Sequence, residues 1–119
     1  MASIGYEMGE NSGLNWFDAK VEKIKVYDQT VKIPNIGWET VEYKKNSVLF
    51  NHLPNGSDFY FVHSYFMKCK NENDVSSWYY LSGKKITASI QKKNLFGTQF
   101  HPEKSSDLGR QVLINFLDY

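Results

Sequence analysis

The chain is poor in the residues and patterns that define several large classes of protein. It has one cysteine, Cys69, so it forms no internal disulfide and no cage of thiolates around a metal ion. No stretch approaches the roughly twenty apolar residues of a membrane span. The net charge of +1 gives no electrostatic reason to bind nucleic acid or a membrane surface. Residues 1–13 lack the pattern of a secretory signal, so we expect a cytoplasmic protein.

The chain also has only three histidines. His52, His63 and His101 match no compact spacing of metal ligands, so we expect no metal ion and no cofactor. Because His63 lies in an aromatic run, it is better interpreted as a hydrogen-bonded core residue.

Aromatic residues, in contrast, are abundant. They make up 16% of the 119 residues, and hydrophobic residues make up 41%, which is typical of one compact, strand-rich domain spanning 1–119. Strands are predicted at residues 21–26, 59–67, 78–81, 86–91 and 96–100. The 59–67 run is almost continuously apolar, which indicates a strand buried on both faces.

Near the end of the chain the apolar residues change to helical spacing: Leu108, Val112, Leu113, Phe116 and Leu117. Ser105, Ser106 and Asp107 precede them as candidate caps. The predicted fold class is therefore α+β, with a mixed, largely antiparallel sheet of about six short strands and one amphipathic C-terminal helix.

Two segments are harder to assign from sequence. Residues 2–8 are compatible with a helical turn or two, ended by the glycines that follow. Residues 32–41 contain Pro34 and Gly37, which favour a loop around Trp38 over a regular element.

The segment with the most chemistry is residues 96–105, Phe-Gly-Thr-Gln-Phe-His-Pro-Glu-Lys-Ser. His101 and Glu103 are two residues apart, and on extended backbone they would lie on one side. A carboxylate in that place accepts the imidazole N–H, fixes the tautomer and leaves the other ring nitrogen as a base. Such a pair needs a nucleophile, and the chain has almost no candidates.

These residues resemble a known family. Residues 97–103 are similar to the G-x-Q-F-H-P-E signature of class I glutamine amidotransferases, and residues 61–65 to the strand that precedes it. Residues 34–38 resemble the P-x-x-G-W segment of one branch, the glutaminase subunit of imidazole glycerol phosphate synthase and its sugar-modifying relatives. The resemblance covers essentially the whole chain, and residues 13–17 fit the same branch.

The resemblance implies a role for each matched residue. His101 would be the general base and Glu103 its orienting acid, and His63, Ser64 and Tyr65 would lie along the wall of the glutamine pocket. Trp38 would face a cyclase-type synthase subunit, with a place in histidine biosynthesis. Relatives commonly have Asn after that Trp where this chain has Glu39, which leaves the ammonia acceptor open.

The resemblance implies only the C-terminal portion of such an enzyme. The family carries its cysteine nucleophile in a G-x-C-x-G elbow in the first half, and this sequence contains no such motif. We therefore expect a truncated amidotransferase that is inactive alone, with an open sheet surface through which it forms a homo-oligomer. Two alternatives remain: a freestanding, non-catalytic binding or assembly module, and a hydrolase that uses Cys69, although such a lone cysteine is usually an ordinary strand residue.

Overall fold

The computed structural model describes all 119 residues and contains nine β-strands and one α-helix. The strands are β1 (Ile4–Gly5), β2 (Asn11–Ser12), β3 (Ala19–Lys23), β4 (Asn35–Tyr43), β5 (Ser57–His63), β6 (Tyr65–Cys69), β7 (Val75–Leu81), β8 (Lys84–Lys92) and β9 (Leu95–Thr98). Helix α1 spans Ser106–Leu117, and short 3-10 turns occupy Val48–Phe50, Glu72–Asp74 and Pro102–Lys104. None of these helices combines the length and apolar character needed to cross a bilayer.

The strands form two sheets. One has the order β2-β1-β3-β6 and the other β5-β4-β7-β8-β9. Every pairing is antiparallel except that of β1 with β3. The predicted α+β class, with its mixed, largely antiparallel pairing and C-terminal helix, is confirmed. The structure has nine strands in two sheets where we predicted about six in one, since strands of two residues leave no periodic pattern in the sequence.

The apolar run at 59–67 is divided between two strands that belong to different sheets. β5 ends at His63 and β6 begins at Tyr65, so Ser64 lies at the junction. Burial alternates strictly along β5, and Val62 on the outer face is exposed. The prediction of one strand buried on both faces was wrong, because the outward residues are also apolar and hide the alternation.

The segment predicted as a loop around Trp38 is a strand of nine residues, β4. It pairs with β5 from Asn35 to Val41 and with β7 at Glu42 and Tyr43. The sheet partners on both sides supply hydrogen bonds that outweigh the local preference of a Pro- and Gly-containing segment for a loop.

The N-terminal segment is also extended and not helical. Ile4 pairs with Ser12 on one side and with Lys20 on the other, and the Ser3 N–H donates to the Ala19 carbonyl at 2.9 Å. The helical prediction for residues 2–8 was wrong, because so short a helix gains little in water while a neighbouring strand offers pairing on each edge.

The larger core combines residues from both sheets, from the Val48–Phe50 turn and from α1. Its centre is aromatic: Phe59 stacks on Phe100 at 4.4 Å between ring centroids, and Phe61 packs on Tyr79 at 4.6 Å. Phe100 immediately precedes His101, so burial of this ring fixes the chain at the entrance to the candidate site.

Helix α1 forms as predicted, but only part of its predicted apolar stripe is buried: Val112 lies in the core and Leu108 packs against it. Its buried residues are Gly109, Val112 and Asn115, and the Asn115 amide donates to the Leu49 and Asn51 carbonyls at 2.9 and 2.7 Å. Of the predicted apolar stripe, Leu113, Phe116 and Leu117 are exposed.

Candidate active site

His101 and Glu103 form a hydrogen-bonded pair just after β9. The imidazole Nδ1 lies 2.8 Å from the Glu103 Oε1. The backbone between them is a 3-10 turn, Pro102–Lys104, and not the extended segment we expected. Pro102 suits the first position of this turn because its missing N–H would have no partner there. This turn places the Glu103 carboxylate within hydrogen-bond distance of the His101 ring.

The chemistry of the pair follows from which atoms can donate. An ionised carboxylate only accepts, so the Nδ1 of neutral His101 carries the proton and its Nε2 presents a lone pair. This Nε2 makes no hydrogen bond in the structure, and 39% of the His101 side chain is exposed. The pKa of Glu103 is lowered, first by its own backbone N–H and then by the contact with His101. The carboxylate therefore remains charged at neutral pH and holds the tautomer that leaves Nε2 as a base.

The pair lies against the outer edge of β5, an edge strand of its sheet. The His101 N–H donates to the Tyr60 carbonyl at 3.0 Å. Backbone groups of alternate residues point to the same edge of a strand, so those of Val62 lie on the edge that His101 contacts. Ser64 and Tyr65 follow directly along the chain. The fold thus brings the end of β5 and the His101 loop to one edge of the sheet.

His63 is buried and fully occupied by structural hydrogen bonds. Its Nδ1–H donates to the Tyr65 carbonyl at 2.7 Å, and its Nε2 accepts from the Tyr79 hydroxyl at 2.7 Å. Burial lowers the pKa of His63. The ring therefore spans the junction between β5 and β6, and the Ser64 carbonyl is engaged by the Ile24 N–H at 2.8 Å.

Sequence reasoning missed the polar partners of His63. The Asn35 amide donates to the Tyr79 hydroxyl at 3.0 Å and to the Glu39 carboxylate at 3.1 Å. Burial raises the pKa of Tyr79. Glu39 was noted in the sequence as a departure from the family pattern. No sequence pattern, however, predicts a contact between residues as distant along the chain as Asn35 and Tyr79.

Trp38 lies on an exposed apolar patch formed by β4 and β5. Its side chain is 52% exposed and meets Tyr60 edge-on, with 5.8 Å between ring centroids. Ile36 and Val62, which are partners in the strand register, are exposed beside it. We call Ile36, Trp38, Tyr60 and Val62 the Trp38 patch.

Cys69 is a poor nucleophile in this fold. It is buried in β6, and burial, reinforced by Asp74 and Glu72, raises the pKa of its thiol to about 11. The thiolate is therefore scarce at neutral pH. The structure also contains no group of three or more His, Cys, Asp or Glu side chains arranged to hold a metal ion.

Comparison with known proteins agrees with the resemblance seen in the sequence. The family model "Glutamine amidotransferase class-I" matches residues 2–118. Imidazole glycerol phosphate synthase subunit HisH of Chlorobaculum tepidum is 45% identical over 113 residues, 95% of this chain and 55% of that protein. HisH of Pelagibacter ubique is 42% identical over 117 residues, 98% of this chain and 56% of that protein. The chain thus spans about half the length of these relatives.

A solved structure resembles the fold. The crystal structure of a putative GMP synthase subunit from Thermoplasma acidophilum aligns with a TM-score of 0.60 at 20% identity. The alignment covers 85% of this chain and 48% of the other.

Proposed function

Because the chain belongs to the class I glutamine amidotransferase family, we propose that His101 and Glu103 are the base and orienting acid of a glutamine-hydrolysing centre. The nucleophile of that centre is supplied from outside the 119 residues of this chain. The observation that carries the proposal is the 2.8 Å contact between Nδ1 and Oε1, which leaves Nε2 available.

The proposed reaction uses His101 twice. Nε2 takes the proton of a cysteine thiol, and the sulfur attacks the side-chain amide carbon of glutamine. The protonated ring then gives its proton to the departing nitrogen, so that ammonia leaves and a thioester forms. Water, deprotonated by the same nitrogen, attacks the thioester carbon; the C–S bond breaks, the sulfur regains a proton from the ring, and glutamate is released. The segment of His63, Ser64 and Tyr65 lies along the wall of the proposed glutamine pocket, because this segment and the His101 loop meet at one edge of the sheet.

A fusion tests this proposal directly. The first half of HisH from Chlorobaculum tepidum, joined to this chain, is expected to hydrolyse glutamine when the partner synthase subunit is present. The chain alone is expected to release no ammonia, since loss of the nucleophile removes most of the catalysis of such a triad. A folded fusion that hydrolyses no glutamine would contradict the proposal, as would ammonia release by the chain alone.

The Trp38 patch is the proposed contact with a cyclase-type synthase subunit. The relatives are named as subunits of a synthase, and Trp at the centre of an apolar patch is a common binding anchor. We expect Trp38→Ala to weaken binding of the fusion to the Chlorobaculum tepidum partner subunit by about tenfold or more. Tyr80→Ala, a change at another exposed aromatic residue, is the matched control and should leave the Kd unchanged.

A second candidate is a non-catalytic assembly module that forms homo-oligomers. The exposed apolar residues of α1, with those of the Trp38 patch, favour it. Sedimentation of the chain alone tests it: a concentration-dependent oligomer is expected, and a monomer at high concentration would count against it. We also propose a cytoplasmic location and, because the relatives are named as subunits of imidazole glycerol phosphate synthase, a place in histidine biosynthesis.

A further inference from the structure

Ser105 sits at the start of α1 but does not cap it. A serine in this position usually accepts a hydrogen bond from an N–H of the first helical turn. Ser105 makes no such bond. Its hydroxyl, in a residue only 1% exposed, instead accepts from the Tyr60 N–H at 2.9 Å and donates to the His101 carbonyl at 2.7 Å. The side chain is therefore committed to the His101 loop.

These contacts tie both backbone polar groups of His101 to one residue of β5. The His101 N–H reaches the Tyr60 carbonyl directly at 3.0 Å. The His101 carbonyl reaches the Tyr60 N–H through the Ser105 hydroxyl. Two further bonds close the turn that carries Glu103: the Lys104 N–H donates to the His101 carbonyl at 3.0 Å and the Ser105 N–H to the Pro102 carbonyl at 3.1 Å.

We infer that Ser105 is a positioning residue, which holds the His101 ring in register with the Glu103 carboxylate by fixing the backbone that bears both. The inference deepens the proposed function and takes its catalytic meaning from it. If the backbone that bears His101 and Glu103 were mobile, the 2.8 Å contact between the ring and the carboxylate would be lost. The His101 ring would then no longer be held in the single tautomer that this contact enforces. Ser105 itself touches no reacting atom.

The tautomer of His101 is the measurement that tests this role. In the unaltered chain, long-range ¹H–¹⁵N spectra at neutral pH are expected to report His101 with its proton on Nδ1. Ser105→Ala should shift the tautomer population of His101 towards the Nε2–H form. The resulting mixture of tautomers should match that of Glu103→Ala, in which no carboxylate is present to bind Nδ1–H. Ser105→Thr keeps a hydroxyl and should restore the Nδ1–H form.

Ser47→Ala is the matched control, because Ser47 is a buried serine whose hydroxyl has no hydrogen-bond partner. It should leave the His101 spectrum unchanged. An Nδ1–H signal that survives Ser105→Ala in a folded chain would overturn the inference. Amide exchange of the unaltered chain gives a second test that needs no variant: the Tyr60 N–H should be protected, and fast exchange there would also overturn it.

These readouts need no glutaminase activity, so they separate this inference from the proposed function. If the tautomer depends on Ser105 and the fusion hydrolyses no glutamine, only the proposed function fails. If the fusion is active and the His101 tautomer is the same with and without the Ser105 hydroxyl, only the positioning role of Ser105 fails.

Discussion

Two histidines in this molecule make the same first hydrogen bond and differ in everything else. His63 and His101 each hold an oxygen acceptor at Nδ1, at 2.7 and 2.8 Å respectively. At His63 the second nitrogen accepts from the Tyr79 hydroxyl inside the protein, whereas at His101 it has no partner. One ring is locked on both sides and joins two sheets. The His101 ring is held only at Nδ1, so its Nε2 remains free to accept a proton.

The comparison shows that a fixed tautomer serves two purposes. In the core it lets a polar ring be buried with every atom satisfied, which keeps the cost of burial low. At the sheet edge it creates a base. The hydrogen bond at Nδ1 is common to both histidines. What distinguishes the structural ring from the basic one is whether Nε2 has a partner. Variants at each histidine should therefore affect different properties of the protein.

The largest expected effect is on activity at His101. In the fusion that carries a nucleophile, His101→Gln should lower kcat/KM for glutamine hydrolysis by roughly a factor of 10⁴, because no base remains. Its Tm should hardly change, since the side chain is partly exposed. His52→Asn is the control: His52 is exposed at φ +66°, a conformation that Asn tolerates. Activity retained in His101→Gln would show that another group is the base.

The next largest expected effect is a loss of stability when a side chain is added where α1 packs against the His101 loop. A Cβ at Gly109 would lie 2.0 Å from the Pro102 carbonyl oxygen. Gly109→Ala should therefore destabilise the fold by about 1–3 kcal/mol, although Ala is favoured over Gly by about 1 kcal/mol in an exposed helix. Denaturant unfolding measures it, with Gly5→Ala, where no atom lies within 4 Å, as control. A stabilised Gly109→Ala variant would mean that α1 stands further from the loop.

At His63 the expected effect is on stability. Tyr79→Phe removes the hydroxyl that donates to His63 and accepts from Asn35, so two buried groups lose a partner. We expect a loss of about 1–3 kcal/mol in the free energy of unfolding. Tyr80→Phe removes a hydroxyl from the exposed neighbour and should cost almost nothing. Equal effects of the two changes would argue that Tyr79 and His63 do not interact.

The smallest expected effect is a pH dependence of stability that belongs to His63. Burial lowers its pKa in the folded state from the ordinary 6.5, so the unfolded chain binds the proton more tightly. The stability is present above about pH 6.5 and is lost as the pH falls below it. Glu103 and Asp28, whose pKa values are also lowered, act in separate windows below their ordinary 4.5 and 3.8.

Thermal unfolding between about pH 7.5 and about pH 5 covers the range in which the His63 contribution is lost. The Tm of the unaltered chain should fall on acidification, and His63→Gln should give a flatter curve. Ser47→Ala, a change at a buried residue that does not titrate, should keep the slope of the unaltered chain. A slope that persists in His63→Gln would assign the pH dependence to other groups.

Much of the local structure was predictable because its cause is local. The Ser82-Gly83 turn between β7 and β8 has φ values of 48° and 75°, a conformation that Gly favours, and the predicted strands on either side are there. The spacing of apolar residues predicted α1. The pairing of His101 with Glu103 followed from their separation and the residue types, although the turn that joins them was predicted as extended backbone.

What the sequence by itself determined, then, is the α+β class, the C-terminal helix, the family and the pair of residues able to form a base. Tertiary structure alone decided that residues 35–43 are a strand, because its partners lie far along the chain. It also decided which part of the apolar stripe of α1 is buried, that Tyr79 and Asn35 surround His63, and that the Ser105 hydroxyl binds Tyr60 and His101 and does not cap its own helix. Each of these depends on contacts between distant residues, whose energies no local pattern records.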